Sequence, residues 1–308
     1  MVENVDLDAV LADIHTHASS FIGLGKVADY IPALARVSGE KFGIALVACD
    51  GREASAGDAN ERFSIQSISK VFTLMMAIRL RGRNLWQRVG REPSGNAFNS
   101  LVQLEAEHGI PRNPFINAGA HISTDCVVAG HSDPKQAILT EMRNLSGNPD
   151  LQFDPEVAAS EADHGNWNAA IANFLKAHNN LEGEVETVLD AYFHQCAIAM
   201  SCMDLARAGS FLANRGVDVA SGRRIATPRK TKRINALMAT CGLYDAVGSF
   251  AFHVGVPAKS GVGGGILAIV PGEMSVVVWS PGLDPKGNSF VGVKALEMLM
   301  SKIGKSIY

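Results

Sequence analysis

The chain has 308 residues, 47% of them hydrophobic, with 28 lysines and arginines against 31 aspartates and glutamates and a formal charge of −3. This near-balance excludes a nucleic-acid or anionic-membrane surface built on overall charge, while the length allows one large domain or two modest ones with a sizeable core. Five cysteines without any C-x-x-C pair exclude a disulfide framework and a zinc ribbon, leaving reduced, mostly buried thiols as in a cytoplasmic protein.

Residues 1–17, MVENVDLDAVLADIHTH, carry acids where a secretory signal needs a basic start, and Leu7, Val10, Leu11 and Ile14 follow helical spacing. The H-x-H pair, His15 and His17, has the form of the metal motif of amidohydrolase barrels. Helical spacing turns those two imidazoles to different faces, and the chain lacks a barrel's alternating strand and helix units, so no metal site is expected. FGIALVACDG then predicts a buried strand ending at the turn Asp50-Gly51, with a return strand in REASAGD.

From about residue 67 to 225 the apolar spacing is helical, as in SKVFTLMMAIRL, NAAIANFLKAH and CMDLARAGSFLANRG, with Gly216 where a C-terminal cap belongs. RKTKR at 229–233 reads as a solvated basic face. SGVGGGILAIVPGEMSVVVWSPG predicts two strands around a Pro-Gly turn, and SFVGVKALEMLMSKIG a last amphipathic helix. No run approaches the roughly eighteen apolar residues of a membrane span. Pairing the terminal strands in one antiparallel sheet, covered by terminal helices, gives an α+β fold with an inserted all-helical domain. The boundaries expected are 1–66 with 226–308 for the sheet domain and 67–225 for the helical one, with the site at their seam.

S-x-x-K occurs at Ser38/Lys41, Ser67/Lys70 and Ser132/Lys135. Ser38 lies in a Ser-Gly turn and Ser132 just before Pro134, whereas Ser67 opens a helix marked by Ile68, Val71, Phe72 and Met75. Residues three apart share a helix face, so Lys70 is expected to point back toward Ser67, and free N–H groups of the first turn favour an oxyanion there. The plain alternative is that Ser64 or Ser67 merely caps this helix. Lys259-Ser260-Gly261, leading into a strand, has the form of the K-T-G motif that accompanies S-x-x-K in penicillin-binding proteins and β-lactamases. Lysine at its ordinary pKa is neutral in only about one copy in 2,500 at pH 7, so Lys70 must be depressed; burial and a second cation, Lys259, are expected to do this. The glycines of GVGGG run into a strand, not a helix, which speaks against a phosphate loop and for close backbone approach.

Together, ADYIPALA, ERFSIQSISKVF, PRNPFINAGA, SEADHGNWN, YFHQCAIAMSC and ATCGLYDAVGSFAFHVGVPAKSGVGGGI resemble the serine-dependent glutaminases of the β-lactamase/transpeptidase-like fold, short bacterial type, from about Gly25 to the C-terminus. The resemblance implies hydrolysis of L-glutamine to L-glutamate and ammonia without metal or organic cofactor, by a homo-oligomer, with a tetramer expected by resemblance. It makes Ser67 the nucleophile and Lys70 its proton acceptor, with Tyr30 and Tyr244 as active-site tyrosines and Lys259 as the K-S-G lysine. Asn117, Glu161, Asn168 and Tyr192 fall at substrate-binding positions, and Val262 supplies the oxyanion N–H that joins that of Ser67. Phosphate activation and filament formation, tied to long additional segments of the animal enzymes, are not implied. A penicillin-recognising serine hydrolase or esterase, or a non-catalytic glutamine-binding module, would share much of this pattern.

Overall fold

A computed structural model describes residues 5–95 and 100–308; the first four residues of the acidic N-terminal stretch lie outside it. Five strands form an antiparallel sheet: β1 (Gly43–Ala48), β2 (Glu53–Gly57), β6 (Ala258–Ser260), β7 (Gly265–Val270) and β8 (Met274–Trp279), in the order β2-β1-β8-β7-β6. The N-terminal hairpin therefore joins the C-terminal strands through β1 and β8, with Gly43 opposite Trp279 and Ala48 opposite Met274. Asp50-Gly51 turns the hairpin as expected, Gly51 at φ +93° and the Asp50 carboxylate accepting from the Arg52 amide.

β1, β7 and β8 are buried along their whole length, which is why they read as continuous apolar runs without alternation. Ile44, Leu46, Ile266, Ala268, Val276 and Val278 face the terminal helices Leu7–Ala18 and Phe290–Ile303. Ala45, Val47, Leu267, Ile269, Val277 and Trp279 face the other way, into one apolar cluster with the helices Ser69–Arg81 and Cys202–Ala213. The sheet is thus a wall covered on both sides, and the second cover belongs to the middle of the chain. Among the described residues no helix is long and apolar enough to cross a membrane.

The middle segment is helical except for two short strands, a correction to the all-helical expectation. β4 (Gln152–Phe153) and β5 (Ile198–Met200) join β3 (Phe63–Ser64) in a small sheet ordered β3-β5-β4. Strands of two or three residues are too short for alternation to register. They matter for position: Phe63 pairs with Met200, the Ile65 amide donates to the Ile198 carbonyl at 3.0 Å, and Ser64 Oγ donates to the Cys196 carbonyl at 2.8 Å. The chain just before Ser67 is pinned by these bonds. At the N-terminus, His15 lies flat on Phe42 with ring centroids 5.1 Å apart, whereas His17 turns to Asp13. The H-x-H imidazoles have separate neighbours, as helical spacing requires.

Candidate active site

Ser67 lies in a tight turn, Gln66–Ile68, immediately before the helix Ser69–Arg81, rather than inside the helix. Gln66 takes φ +49°, a conformation that costs a non-glycine residue and tends to persist where the surroundings hold it for a function. The second chain at the site is the K-S-G strand and its glycine turn. A Cβ on Gly261 would stand 2.7 Å from the Ile65 carbonyl oxygen and 3.3 Å from the Ser67 nitrogen. Only glycine lets the backbone entering Val262 run this close to Ser67, the use of the glycines that the sequence suggested.

A cleft of about 360 Å³ opens here, lined by Ser67, Asn117, Glu161, Asn168, Tyr192, Tyr244, Val262 and Tyr30. These come from stretches far apart in sequence. Asn117 begins the helix Asn117–Gly130, Glu161 sits in Pro155–Asp163, Asn168 in Asn166–Ala177 and Tyr192 in Val185–Cys196. Gly119 seats the first of these helices, for a Cβ there would lie 1.9 Å from the Asn113 carbonyl oxygen. Tyr30 stands at the rim, 53% exposed, while Tyr192 is buried.

Lys70 and Lys259 do not line the cleft; both are fully buried behind it. Lys70 Nζ donates to Asn117 Oδ1 at 2.7 Å and to the Phe115 carbonyl at 3.3 Å. The Tyr192 hydroxyl donates to the same Asn117 oxygen at 3.3 Å, and Asn117 Nδ2 donates to Asn168 Oδ1 at 2.9 Å. One amide thus ties lysine, tyrosine and asparagine together. Lys259 Nζ donates to the Ser260 carbonyl at 2.6 Å and lies 4.6 Å from the Tyr244 ring centre, reaching the cleft only through that ring. Tyr244, itself at φ +51°, lines the same cleft as Ser67.

Burial dominates the electrostatics. It pushes the Lys70 ammonium down to about 8, against the attraction of the Glu161 carboxylate. Lys259 is pushed well below the ordinary lysine range, by burial first and by the Lys70 charge second. Two buried ammonium groups at this site disfavour one another's charge. Burial also raises the Glu161 carboxyl to about 7, partly opposed by the Gln66 amide and the Lys70 charge, and the Tyr244 phenol to about 12.

Five further residues line the cleft without having been singled out: Ile31, Gln66, His164, Trp167 and Cys196. His164 and Trp167 both precede Asn168 in HGNWN, and Trp167 is 60% exposed, a signal that only burial makes visible. Gln66 announces itself by its backbone angle alone. The Cys196 thiol is pushed up to about 12 by burial, so it stays protonated.

An S-x-x-K serine and a K-S-G strand meeting at one cleft beside an antiparallel sheet with helices on both faces define a protein of the β-lactamase-like fold. The solved structures that resemble the chain narrow this class. They include the probable glutaminase ybaS, with a TM-score of 0.93, 37% identity and 98% of each chain covered. A probable glutaminase from Bacillus subtilis complexed with 6-diazo-5-oxo-L-norleucine superposes with a TM-score of 0.88, at 33% identity over 100% of this chain and 98% of that one. In sequence, the glutaminase of Vibrio cholerae serotype O1 is 56% identical over 300 residues, 97% of this chain and 98% of the relative. The glutaminase of Rhizobium leguminosarum bv. trifolii is 55% identical over 306 residues, 98% and 99%. The family model "Glutaminase" matches residues 25–308, and the chain belongs to the glutaminase family.

Proposed function

We propose that the chain hydrolyses L-glutamine to L-glutamate and ammonia through a γ-glutamyl ester on Ser67. The observation that carries this reading is the convergence in one cleft of Ser67, the Glu161 carboxylate and the amide and phenol groups of Asn117, Asn168 and Tyr192, with a depressed lysine directly behind. Glutamine has an ammonium for the carboxylate, a carboxylate for the amide and phenol donors, and a side-chain amide for the serine. Membership of the glutaminase family supports the reaction, and a relative complexed with a diazoketone analogue of glutamine supports the pocket.

With a pKa of about 8, roughly one Lys70 in ten is neutral at pH 7, against about one in 2,500 for an ordinary lysine. Neutral Lys70 takes the Ser67 proton as the hydroxyl attacks the amide carbon. The amides of Ser67 and Val262 hold the oxyanion; a donor of this kind is commonly worth about 3 to 4 kcal/mol. Tyr244, raised to about 12, stays protonated and is suited to relay a proton to the departing ammonia. Lys259 acts as a positioning residue behind the Tyr244 ring. Water then cleaves the ester by the reverse of these transfers. The same proposal takes residues 1–66 with 226–308 and residues 67–225 as the two parts that flank the cleft, and a cytoplasmic homotetramer as the working form.

Purified protein is expected to release ammonia from glutamine and to leave the β-lactam nitrocefin intact; the converse result favours a penicillin-recognising hydrolase, and neither activity a binding module. Treatment with 6-diazo-5-oxo-L-norleucine should add the analogue's mass, less dinitrogen, to the peptide containing Ser67. Label on the Cys196 peptide would refute the serine assignment.

Two titrations shape the acid limb. Lys70 works uncharged and Glu161 works charged, so kcat/KM for glutamine should rise with pH through about 7 and about 8 and then level. A pH profile flat from 6 to 9 would separate both groups from turnover. Glu161→Gln removes a charge-assisted bond of about 1.5 to 3 kcal/mol. It should lower kcat/KM for glutamine at least about tenfold and erase the limb near 7, while sparing a neutral ester without an α-amino group. Equal losses on both substrates would mean that Glu161 supports the fold or Ser67.

A further inference from the structure

The basic run at 229–233 has no part in the site just described. Between Asn214 and Leu243 the sequence holds seven arginines and lysines against a single acid, Asp218, in a chain whose formal charge is −3. Asp218 is buried and turned to its own loop, accepting from the Ser221 amide. Many cations elsewhere stand beside carboxylates, as Arg79 does with Glu141, Lys135 with Asp190 and Arg207 with Glu53. Among the described residues none of the seven has such a partner. The helix Pro228–Cys241 carries four of them in its first turns, and its Arg233, Leu237 and Thr240 share one face.

That face lines a cavity of about 550 Å³ together with Arg83, Trp86 and Arg91. The Arg91 guanidinium lies 4.8 Å from the Trp86 ring centre, which fixes its plane without any carboxylate. Three arginines, two from the segment 83–91 and one from the helix Pro228–Cys241, thus border one cavity, and among the described residues no ion pair neutralises any of them. Gathering like charges in one concavity raises the energy of the empty site. A multiply charged anion removes that repulsion and takes paired N–H donors from each arginine, while Trp86, Ala236 and Leu237 offer an apolar surface to its uncharged part.

We propose that this cavity binds a small polyanion, a phosphate ester or a polycarboxylate, through Arg83, Arg91 and Arg233. Its place bears on the active site. Thr240 also lines a neighbouring cavity of about 300 Å³ that includes Phe115 and Tyr244. Phe115 is the residue whose carbonyl accepts from Lys70, and Tyr244 follows the helix that bears Arg233 by three residues. The anion site stands independently of the reaction at Ser67, and its test is a binding measurement.

Calorimetric titration of the intact protein at constant ionic strength with pyrophosphate, ADP and citrate separates the two anion classes, with acetate as a monovalent control. At least one polyanion is expected to bind one site per chain with Kd of about 1 mM or tighter, and acetate is not. Arg91→Gln and Arg233→Gln should each weaken it at least about tenfold, whereas Lys232→Gln, on the same helix but outside the cavity, should change it less than about threefold. All three positions are exposed, so the variants should fold and should turn over glutamine unchanged in the absence of anion. Three results overturn the proposal: no binding of any polyanion, an equal loss in Lys232→Gln, or binding undiminished in both arginine variants.

Discussion

Ser67→Ala is expected to lower ammonia release from glutamine by about 10⁴-fold or more, because no other group in the cleft can replace the nucleophile. Cys196, the one thiol lining the cleft, is held protonated by a pKa of about 12. The fold should survive. The Ser67 hydroxyl makes no helix cap, and the turn is held from outside by backbone bonds at Ile65 and by Ser64 on the Cys196 carbonyl. Removing one hydroxyl that makes no cap should cost about 1 kcal/mol or less. Glutamine should still bind with a Kd within about threefold of that of the unaltered protein, since the groups that read its ammonium and carboxylate are untouched. The check is turnover beside calorimetric binding and thermal unfolding of the same preparation. A variant retaining a hundredth of the activity would move the nucleophile elsewhere.

How far the sequence reaches is set by the range of the interactions that it encodes. The hairpin at Asp50-Gly51, the paired strands β7 and β8 and the final helix are local: turn residues and apolar periodicity specify them, and each lies where those signals put it. The pairing of β1 with β8 joins residues more than two hundred positions apart, and only the economy of a single sheet suggested it. The strands β4 and β5 carry no periodic signal because each is set by a neighbour, β5 by β3 on one side and β4 on the other. At the cleft, S-x-x-K and K-S-G were legible because their spacing is itself the chemistry. Gln66 was not, since its φ of +49° arises from the fit between the pinned β3 segment and the helix that follows.

Lys70 is where activity and stability should be seen to oppose one another. Lys70→Arg keeps a cation but not a base, because a guanidinium does not deprotonate at working pH, and it is expected to lose about 10³-fold in kcat. Arginine in a fully buried site strains its surroundings, so Lys70→Met, similar in length and uncharged, is the companion variant; a comparable loss is expected from it. In both, the limb near pH 8 should vanish from whatever activity remains. Stability supplies the independent readout. Lysine unfolds into water at its ordinary pKa of 10.5 and is held at about 8 in the native protein, so below pH 8 the native state carries the full penalty of that depression. The penalty fades as pH rises from 8 to 10.5, and the unaltered protein should therefore gain about 3 kcal/mol relative to Lys70→Met across that window. Urea unfolding of the two proteins at the two ends of that window measures this difference while titrations remote from Lys70 cancel between them. A constant difference would mean that Lys70 keeps an ordinary affinity for its proton, and an arginine variant with a tenth of the activity would mean that the lysine acts as a fixed charge rather than as the base for Ser67.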